Sequence, residues 1–433
     1  MKKTASRLLA LALTASLVLS GCSSSGGTLD QTVTESETVS STETTETTDS
    51  AETETETAQT EHEPITDLVL AKVSSSELAT FNLLNSETSA DTQYLTNIWD
   101  GLLEVNNYGE LVPCIAEEWS TEDGGLTWTF NLRDNATWVD VNGNEMAQVT
   151  AQDFLTGMEW VLNFYKNDSA NTSMPMEMIE GAEEYYEYTK SLTQEEAYAL
   201  DASEGSVFRE MVNIETPDDY TLVYHCTTEK PYFDTVCAYT CMYPLAQGLV
   251  DELGIDGIKS MNNENMWYNG CYTMTSYIQG NEKVFTKNPA YWDTECTRFD
   301  TVTIRMVEST DVAYQLYQSG EIDEVSLTES NVMTISGDES NPYHDQMVEW
   351  PADFRSYQFH LNYNKLNEDG TPDTNWNTAA ANEAFRLSWY YGLDLTPYYS
   401  RTNAVNPLSC ENNYYSMPGL LYTSAETDYP DLV

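Results

Sequence analysis

LTWTFNLRDNATWVDVNGNEMAQVTAQDFLTGMEWVLNFY (residues 126–165) changes its hydrophobic period partway along, and that change sets the fold class. In its first part Leu126, Trp128, Phe130 and Leu132 alternate with polar residues, the two-residue repeat of a half-buried β-strand. Asn142-Gly143 follows, a dipeptide suited to the left-handed dihedrals of a tight hairpin turn. Beyond it Phe154, Leu155, Met158, Val161, Leu162 and Tyr165 share one face at helical spacing, and Thr150 with Asp153 gives a capping-box pattern at the helix start.

The same mixture continues outward. TLVYHC (221–226) puts Leu222, Tyr224 and Cys226 on one strand face, and TVTIRMV (301–307) does the same for Val302, Ile304 and Met306. SYQFHLNYN (356–364) aligns Tyr357, Phe359, Leu361 and Tyr363 as a further strand. A helix is expected from about Asp311 to Ser319, stopped at Gly320, and another from about Ala379 to Tyr391, stopped at Gly392. Strands and helices without a regular βαβ rhythm make the fold class α/β in the mixed, α+β sense.

The N-terminus speaks to compartment. Lys2, Lys3 and Arg7 precede an apolar run from Leu8 to Leu19 broken by Thr14 and Ser16. A bilayer span needs about 20 apolar residues, so the run fits the core of a secretory signal peptide over residues 1–21. Ser20-Gly21-Cys22 resembles the bacterial lipobox, which implies a lipid-modified Cys22 as the mature N-terminus; a plain signal peptide with an incidental cysteine is the alternative. From 22 to 63 the chain is mostly Ser, Thr and Glu, with eleven acids and no Lys or Arg. Such a segment buries too little apolar surface to offset its ordering entropy and is expected to be an extended, disordered tether.

From Pro64 onward, once those eleven acids and the three bases of the first seven residues are set aside, 60 acids face 15 bases, a net −45. That balance argues against nucleic acid and anionic lipid as partners. The aromatic content, with ten Trp and 29 Tyr in the whole chain, suffices for a large core divided among two or three domains. Without Cys22 seven cysteines remain, at 114, 226, 237, 241, 271, 296 and 410. An odd number leaves at least one free thiol. Mostly buried thiols are expected, and a disulfide stays open as the alternative.

Seven segments carry a resemblance in their order and spacing. WDGLLEVNNYGELVPCIAEEWSTEDGGLTWTFNLRDNATW (99–138) is followed by VTAQDF (149–154), TPDDYTLVYHCTTEKPYFDT (216–235), NGCYTM (269–274), KNPAYWD (287–293), DVAYQLYQSGEID (311–323) and NEAFRLSWYYGLD (382–394). From about Phe81 to Pro397 the chain resembles the family 5 extracellular solute-binding proteins, the peptide-binding components of ABC importers. The resemblance implies a two-lobed periplasmic-binding-protein-like fold with an extra N-terminal domain. Lobe I would combine 64–99 with 214–290, the extra domain would span 100–213, and lobe II would occupy 291–433. Family members continue well past the helix matched at 379–391, so the second lobe is expected to be incomplete and the chain a partial reading frame; a reduced protein is the alternative. The carboxylate that pairs with a peptide's α-amino group in peptide-binding members would lie beyond Val433.

Candidate ligand-binding residues follow from the same resemblance. Glu87 and Ser89 fall where the family's first-lobe loop lines the cleft, although an exposed polar loop reads equally well. Asn269, Gly270 and Tyr272 match an Asn-Gly-x-Tyr segment at the lobe junction, with Cys271 in place of a frequent proline. Gly270 serves backbone conformation first. Tyr357 and Asn362 lie on opposite faces of the expected strand, so at most one of the two faces meets ligand.

The implied partners are a short peptide, ABC permease and ATPase subunits, and the outer face of the cell membrane through Cys22. No catalytic residue, cofactor or metal is implied. The chain has no H-E-x-x-H, G-x-S-x-G or P-loop, and no His/Cys spacing suggests a closed metal site. An oligosaccharide or metal-chelate ligand on the same fold, and a peptide sensor that does not import, remain as alternatives.

Overall fold

In a computed structural model the alternating stretch forms a strand at Thr127–Leu132 with Trp128, Phe130 and Leu132 buried; Leu126 precedes the strand and is exposed. The structure describes residues 65–73, 77–106, 109–168, 171–295, 297–349 and 357–412, and the backbone of two short strands at Tyr422–Ser424 and Thr427–Asp428. The expected signal peptide (1–21), Cys22, the tether (22–63) and Cys296 lie outside the described residues. The described residues divide into two compact units, one ending at Ser326 and the other beginning at Leu327.

In chain order the strands of the first unit are β1 (Asp67–Val73), β2 (Leu103–Val105), β3 (Leu111–Pro113), β4 (Ala116–Ser120), β5 (Thr127–Leu132), β6 (Thr137–Val139), β7 (Glu145–Gln148), β8 (Ile214–Asp218), β9 (Thr221–His225), β10 (Tyr272–Ile278), β11 (Glu282–Lys287) and β12 (Thr301–Val307). One four-stranded sheet has the order β1-β12-β11-β10, with β1 parallel to β12 from Asp67↔Thr301 to Val73↔Val307 and the other pairs antiparallel. A second, wholly antiparallel sheet has the order β4-β5-β9-β8, in which Trp128 faces Tyr224 and Phe130 faces Leu222. The Asn142-Gly143 turn joins β6 to β7, and Gly143 takes the positive φ of 78° that the turn requires.

These pairings differ from the expected boundaries at 213/214 and 290/291. β8 and β9, assigned to lobe I, hydrogen-bond to β4 and β5 of the expected extra domain. β12, assigned to lobe II, lies between β1 and β11. Backbone pairing is settled by strands far apart in the chain, which a linear reading of motifs does not supply.

The helix expected after the hairpin runs over Ala151–Leu162 with Thr150 and Asp153 as its capping box. It is buried on nearly every side rather than on one face, because Trp160, Glu159 and Gly157 also pack inward. Glu159 forms a buried ion pair with Lys166 at 2.6 Å and accepts from Tyr185 Oη and Asn163 Nδ2, each at 2.9 Å; buried charges persist when paired and hydrogen-bonded in this way. The helix Thr310–Ser319 ends as expected at Gly320, whose φ is 74°.

Two expectations for the second unit are corrected. The helix expected over 379–391 is two helices, Thr374–Ala381 and Glu383–Gly392. Asn382 interrupts them with an extended backbone and caps the second through its side chain, which accepts from Ala384 N at 2.9 Å. The strand expected over 356–364 does not form among the described residues, and Tyr357 and Phe359 are 55% and 71% exposed. Alternation supplies a face but not a ladder partner, and a strand needs both. Among the described residues Cys114, Cys226, Cys237 and Cys241 are buried free thiols.

The first unit is closed by a seam between 97–101 and 267–272. Gly270 N donates to Ile98 O at 3.0 Å, Tyr272 N to Asn97 O at 3.0 Å, and Trp99 Nε1 to Trp267 O at 2.7 Å. A Cβ on Gly270 would stand 2.6 Å from the Ile98 carbonyl carbon, a clash with main chain that no rotamer relieves. Gly270→Ala is therefore expected to destabilise the fold by about 1–3 kcal/mol. Urea denaturation measures it; a loss under about 0.5 kcal/mol, the range of an ordinary surface change, would show that the seam yields freely.

Candidate functional site

The site is built on an irregular segment, 77–88, that runs into the helix Ser89–Leu95. Apart from one 3₁₀ turn at Leu83–Asn85 its backbone lies outside helix and ladder and must find its hydrogen bonds elsewhere; side chains provide several of them. Asp91, fully buried in the first turn, accepts from Ala79 N at 2.7 Å and from Ser86 Oγ at 3.0 Å. Asn171 Nδ2 donates to Leu84 O at 2.6 Å, and Trp160 Nε1 donates to Asn85 Oδ1 at 2.7 Å. At the other end Glu77 accepts from Lys283 Nζ at 2.9 Å, Tyr277 Oη at 3.0 Å and Gly280 N at 3.0 Å.

Lys283 is completely buried on β11, flanked by the rings of Tyr94 and Tyr277. Burial pushes the Glu77 carboxyl up, but the donors from Lys283, Gly280 and Tyr277 outweigh it and hold the group below its ordinary value. Burial, together with the nearby Glu77 charge, pushes the Tyr94 phenol up to about 12.

The sequence candidates separate into three places. Glu87 and Ser89 are exposed at the end of this pinned segment, Ser89 being the first residue of the helix. Asn269, Gly270 and Tyr272 lie on the seam, beyond the helix's other end, which by its rise per residue is about 10 Å away. Asn269 is 2% exposed; its Oδ1 accepts from Asp100 N at 3.0 Å and its Nδ2 donates to Asp100 O at 3.2 Å. Tyr272 is buried and donates from its hydroxyl to Phe299 O at 3.2 Å. Asn269 and Gly270 are thus committed to joining two chain segments. Tyr357 and Asn362 belong to the second unit, where the Asn362 side chain accepts from Asn364 N at 2.9 Å and its carbonyl from Trp376 Nε1 at 2.7 Å.

A group missed from the sequence lies behind the seam. Asp100, Glu104 and Cys114 bring their carboxylate and thiol atoms within 4.8 Å of one another, although no spacing of motif type links them. Groups of this kind can hold a divalent cation; carrying protons, they hydrogen-bond instead. Trp292 Nε1 donates to Asp100 Oδ2 at 3.0 Å, and the Arg133 guanidinium lies 3.5 Å over the Trp292 ring while its Nε donates to Cys114 O at 2.6 Å. Burial pushes the Asp100 carboxyl up to about 7, against the hydrogen bond from Trp292, with the Glu104 charge adding to the rise. Burial also holds the Cys114 thiol well above its ordinary value. The signal that would have found this group is the recurrence of WD at 99–100 and WD at 292–293, two indole–carboxylate pairs whose contact appears only in the fold.

Residues 110–397 match the family described as bacterial extracellular solute-binding proteins, family 5 middle. The chain belongs to the family 5 extracellular solute-binding proteins. It is 27% identical over 331 residues to the oligopeptide-binding protein SarA of Streptococcus gordonii, covering 74% of this chain and 47% of that one. It is 30% identical over 252 residues to the periplasmic oligopeptide-binding protein OppA of Haemophilus influenzae, covering 58% and 42%. Among solved structures it resembles Listeria monocytogenes OppA bound to peptide, with a TM-score of 0.53 at 18% identity over 64% of this chain and 49% of that one. The substrate-binding domain of an oligopeptide ABC transporter from Bacillus anthracis matches with a TM-score of 0.52 at 25% identity, over 63% and 47%. The chain spans about half the length of the curated relatives it matches. Among the described residues no helix is long and apolar enough to cross a membrane.

Asp100 makes a pH signature. The unfolded chain releases this proton near pH 4, the fold only near 7. Between those values the folded state keeps a proton that the unfolded state has lost, so this group lowers stability as pH rises, by a total of about 4 kcal/mol above neutrality. Asp100→Asn, which retains an acceptor for Trp292, removes that dependence. From pH 5 to pH 8 its stability relative to wild type is expected to improve by about 2–3 kcal/mol. Denaturant melts at both pH values test this, and a pH-independent difference would contradict it.

Proposed function

We propose that this chain captures short peptides outside the cytoplasmic membrane and passes them to an ABC permease whose partner subunits hydrolyse ATP. The family match over 110–397, with relatives named as oligopeptide-binding proteins, carries this reading. The chain's role is binding rather than catalysis. Affinity would come from strand-like hydrogen bonding to the peptide main chain, and tolerance of sequence from water in the side-chain pockets. Closure of two lobes, the hinge motion of periplasmic binding proteins, would enclose the ligand. A lipid on Cys22 and the acidic tether would hold the domain at the outer face of the membrane.

Within this reading Glu87 and Ser89 are the first-unit side chains offered to ligand, since both are exposed on a segment fixed from behind. Tyr272, Tyr357 and Asn362 are the further candidates. Asn269 and Gly270 contribute by shaping the junction.

Mass spectrometry of the protein purified gently from its own cells and then denatured is the direct test. A set of peptides of mixed sequence and similar length is the expected release, with a diacylglycerol thioether on the N-terminal Cys22 peptide. A bound oligosaccharide or metal chelate would overturn the peptide assignment, and an unmodified N-terminal peptide would overturn the anchor. The double variant Glu87→Gln/Ser89→Ala is expected to bind peptide about tenfold more weakly, the loss of one or two polar contacts, with an unchanged melting temperature. Calorimetric titration showing wild-type affinity would remove both residues from the site.

A further inference from the structure

Two inward-turned carboxylates bracket the segment that presents Glu87 and Ser89, and each is used up by that segment or its support. Asp91 reaches backward from the helix Ser89–Leu95 to Ala79 N and Ser86 Oγ, while its own amide donates to Thr88 Oγ1 at 3.1 Å. Glu77 ties the other end to β10, to the β10–β11 turn and, through the buried Lys283, to β11. Phe81 stacks edge-on against Tyr277 at 4.9 Å, which adds an apolar contact to the same anchorage. Leu83 and Leu84 sink the middle of the segment into the core, so its backbone must be paired by protein groups, while its end at 87–89 is left exposed.

We infer that Asp91 and Glu77 are positioning residues for ligand capture, holding 77–89 as a preformed edge so that little ordering entropy is lost when a peptide binds. The inference rests on the peptide-binding reading and deepens it. Neither carboxylate is offered to the ligand, since their oxygens are engaged by Ala79, Ser86, Lys283, Tyr277 and Gly280. Preorganisation of this kind raises affinity without adding a contact. It predicts that binding weakens when the edge is loosened even though every ligand-facing side chain is intact.

The experiment compares wild type with Asp91→Ala and with Asp91→Asn in the full chain. Hydrogen exchange reads the order of the segment without ligand, and titration with a synthetic pool of short random-sequence peptides reads binding. In Asp91→Ala, protection of the amides of 79–89 is expected to fall about tenfold or more while the two sheets stay protected. Affinity for the pool is expected to fall by a similar factor. Asp91→Asn keeps an acceptor for Ala79 N and is expected to recover most of both losses, whereas Asp91→Leu, which keeps the volume without an acceptor, is expected to show the losses of Asp91→Ala; recovery by Asp91→Leu would reduce the residue to a space-filling role.

Ser86→Ala deletes only one of Asp91's two contacts and gives the same signs at smaller size, so it decides the matter if Asp91→Ala does not fold. A loosened segment with affinity within twofold of wild type would overturn the positioning role, and so would weakened binding with the segment's protection unchanged. Wild-type protein that binds none of the pool overturns the peptide reading itself, and this inference with it.

Discussion

The first unit depends on a close approach of main chain to main chain. Ile98 and Gly270 meet with no room for a Cβ between them, and around that point Asn97, Trp99 and Asp100 are bound to residues 267–272. Everything on either side inherits its position from this contact. Upstream the helix Ser89–Leu95 arrives with Tyr94 and Leu95 buried, and downstream β10 begins at once with Tyr272. The antiparallel sheet and one face of the mixed sheet share a large hydrophobic core, while Val307, Ala313 and Ile322 form a smaller cluster with Val69 and Ala71 of β1.

Acidic groups play two distinct parts in so negatively charged a chain. Most are solvated and set only the net charge. A few are buried and act as fasteners for backbone that belongs to no helix or sheet. Asp153 accepts from Thr150 N, Gln247 N and Trp138 Nε1. Asp91 does the same for the segment behind Glu87, and Asp100 for Trp292. A carboxylate suits this work because it accepts several donors at once and makes stronger hydrogen bonds than a neutral acceptor. The energetic consequence depends on charge balance: Glu77 has Lys283 beside it, whereas Asp100 has only neutral donors directly upon it and keeps its proton far longer.

Local rules made much of the first unit legible. β5, β9 and β12, the turn at Asn142-Gly143, the capping box at Thr150 and the stop at Gly320 each follow from a few neighbouring residues. What local pattern could not supply was long-range choice of partner. The sheet to which β8 and β9 belong and the insertion of β12 between β1 and β11 depend on residues far away in the chain. The alternation at 357–363 has the face of a strand but, among the described residues, no neighbour pairs with it, and Asn382 shows that one capping side chain can divide a continuous apolar pattern. At the candidate site, Asn269 lies in the NGCYTM motif, whereas Glu87 and Ser89 follow only from where the family's first-lobe loop is expected. Of the groups behind them, Asp91 and Lys283 carry no sequence signature because their role exists only in contact.

The parallel pairing of β1 with β12 has a consequence in time. Asp67 and Thr301, joined by a hydrogen bond between their side chains, are separated by 234 residues. A chain made from its N-terminus releases β1 long before its partner exists, and closing so large a loop is slow. Until β12 appears, the earliest strand of the sheet is an unpaired edge, the kind of surface on which partly folded chains associate. The antiparallel sheet, with β8 beside β9 and β4 beside β5, draws on contacts nearer in sequence and can form first. The mixed sheet that supports the candidate site is thus the part of the unit that matures last.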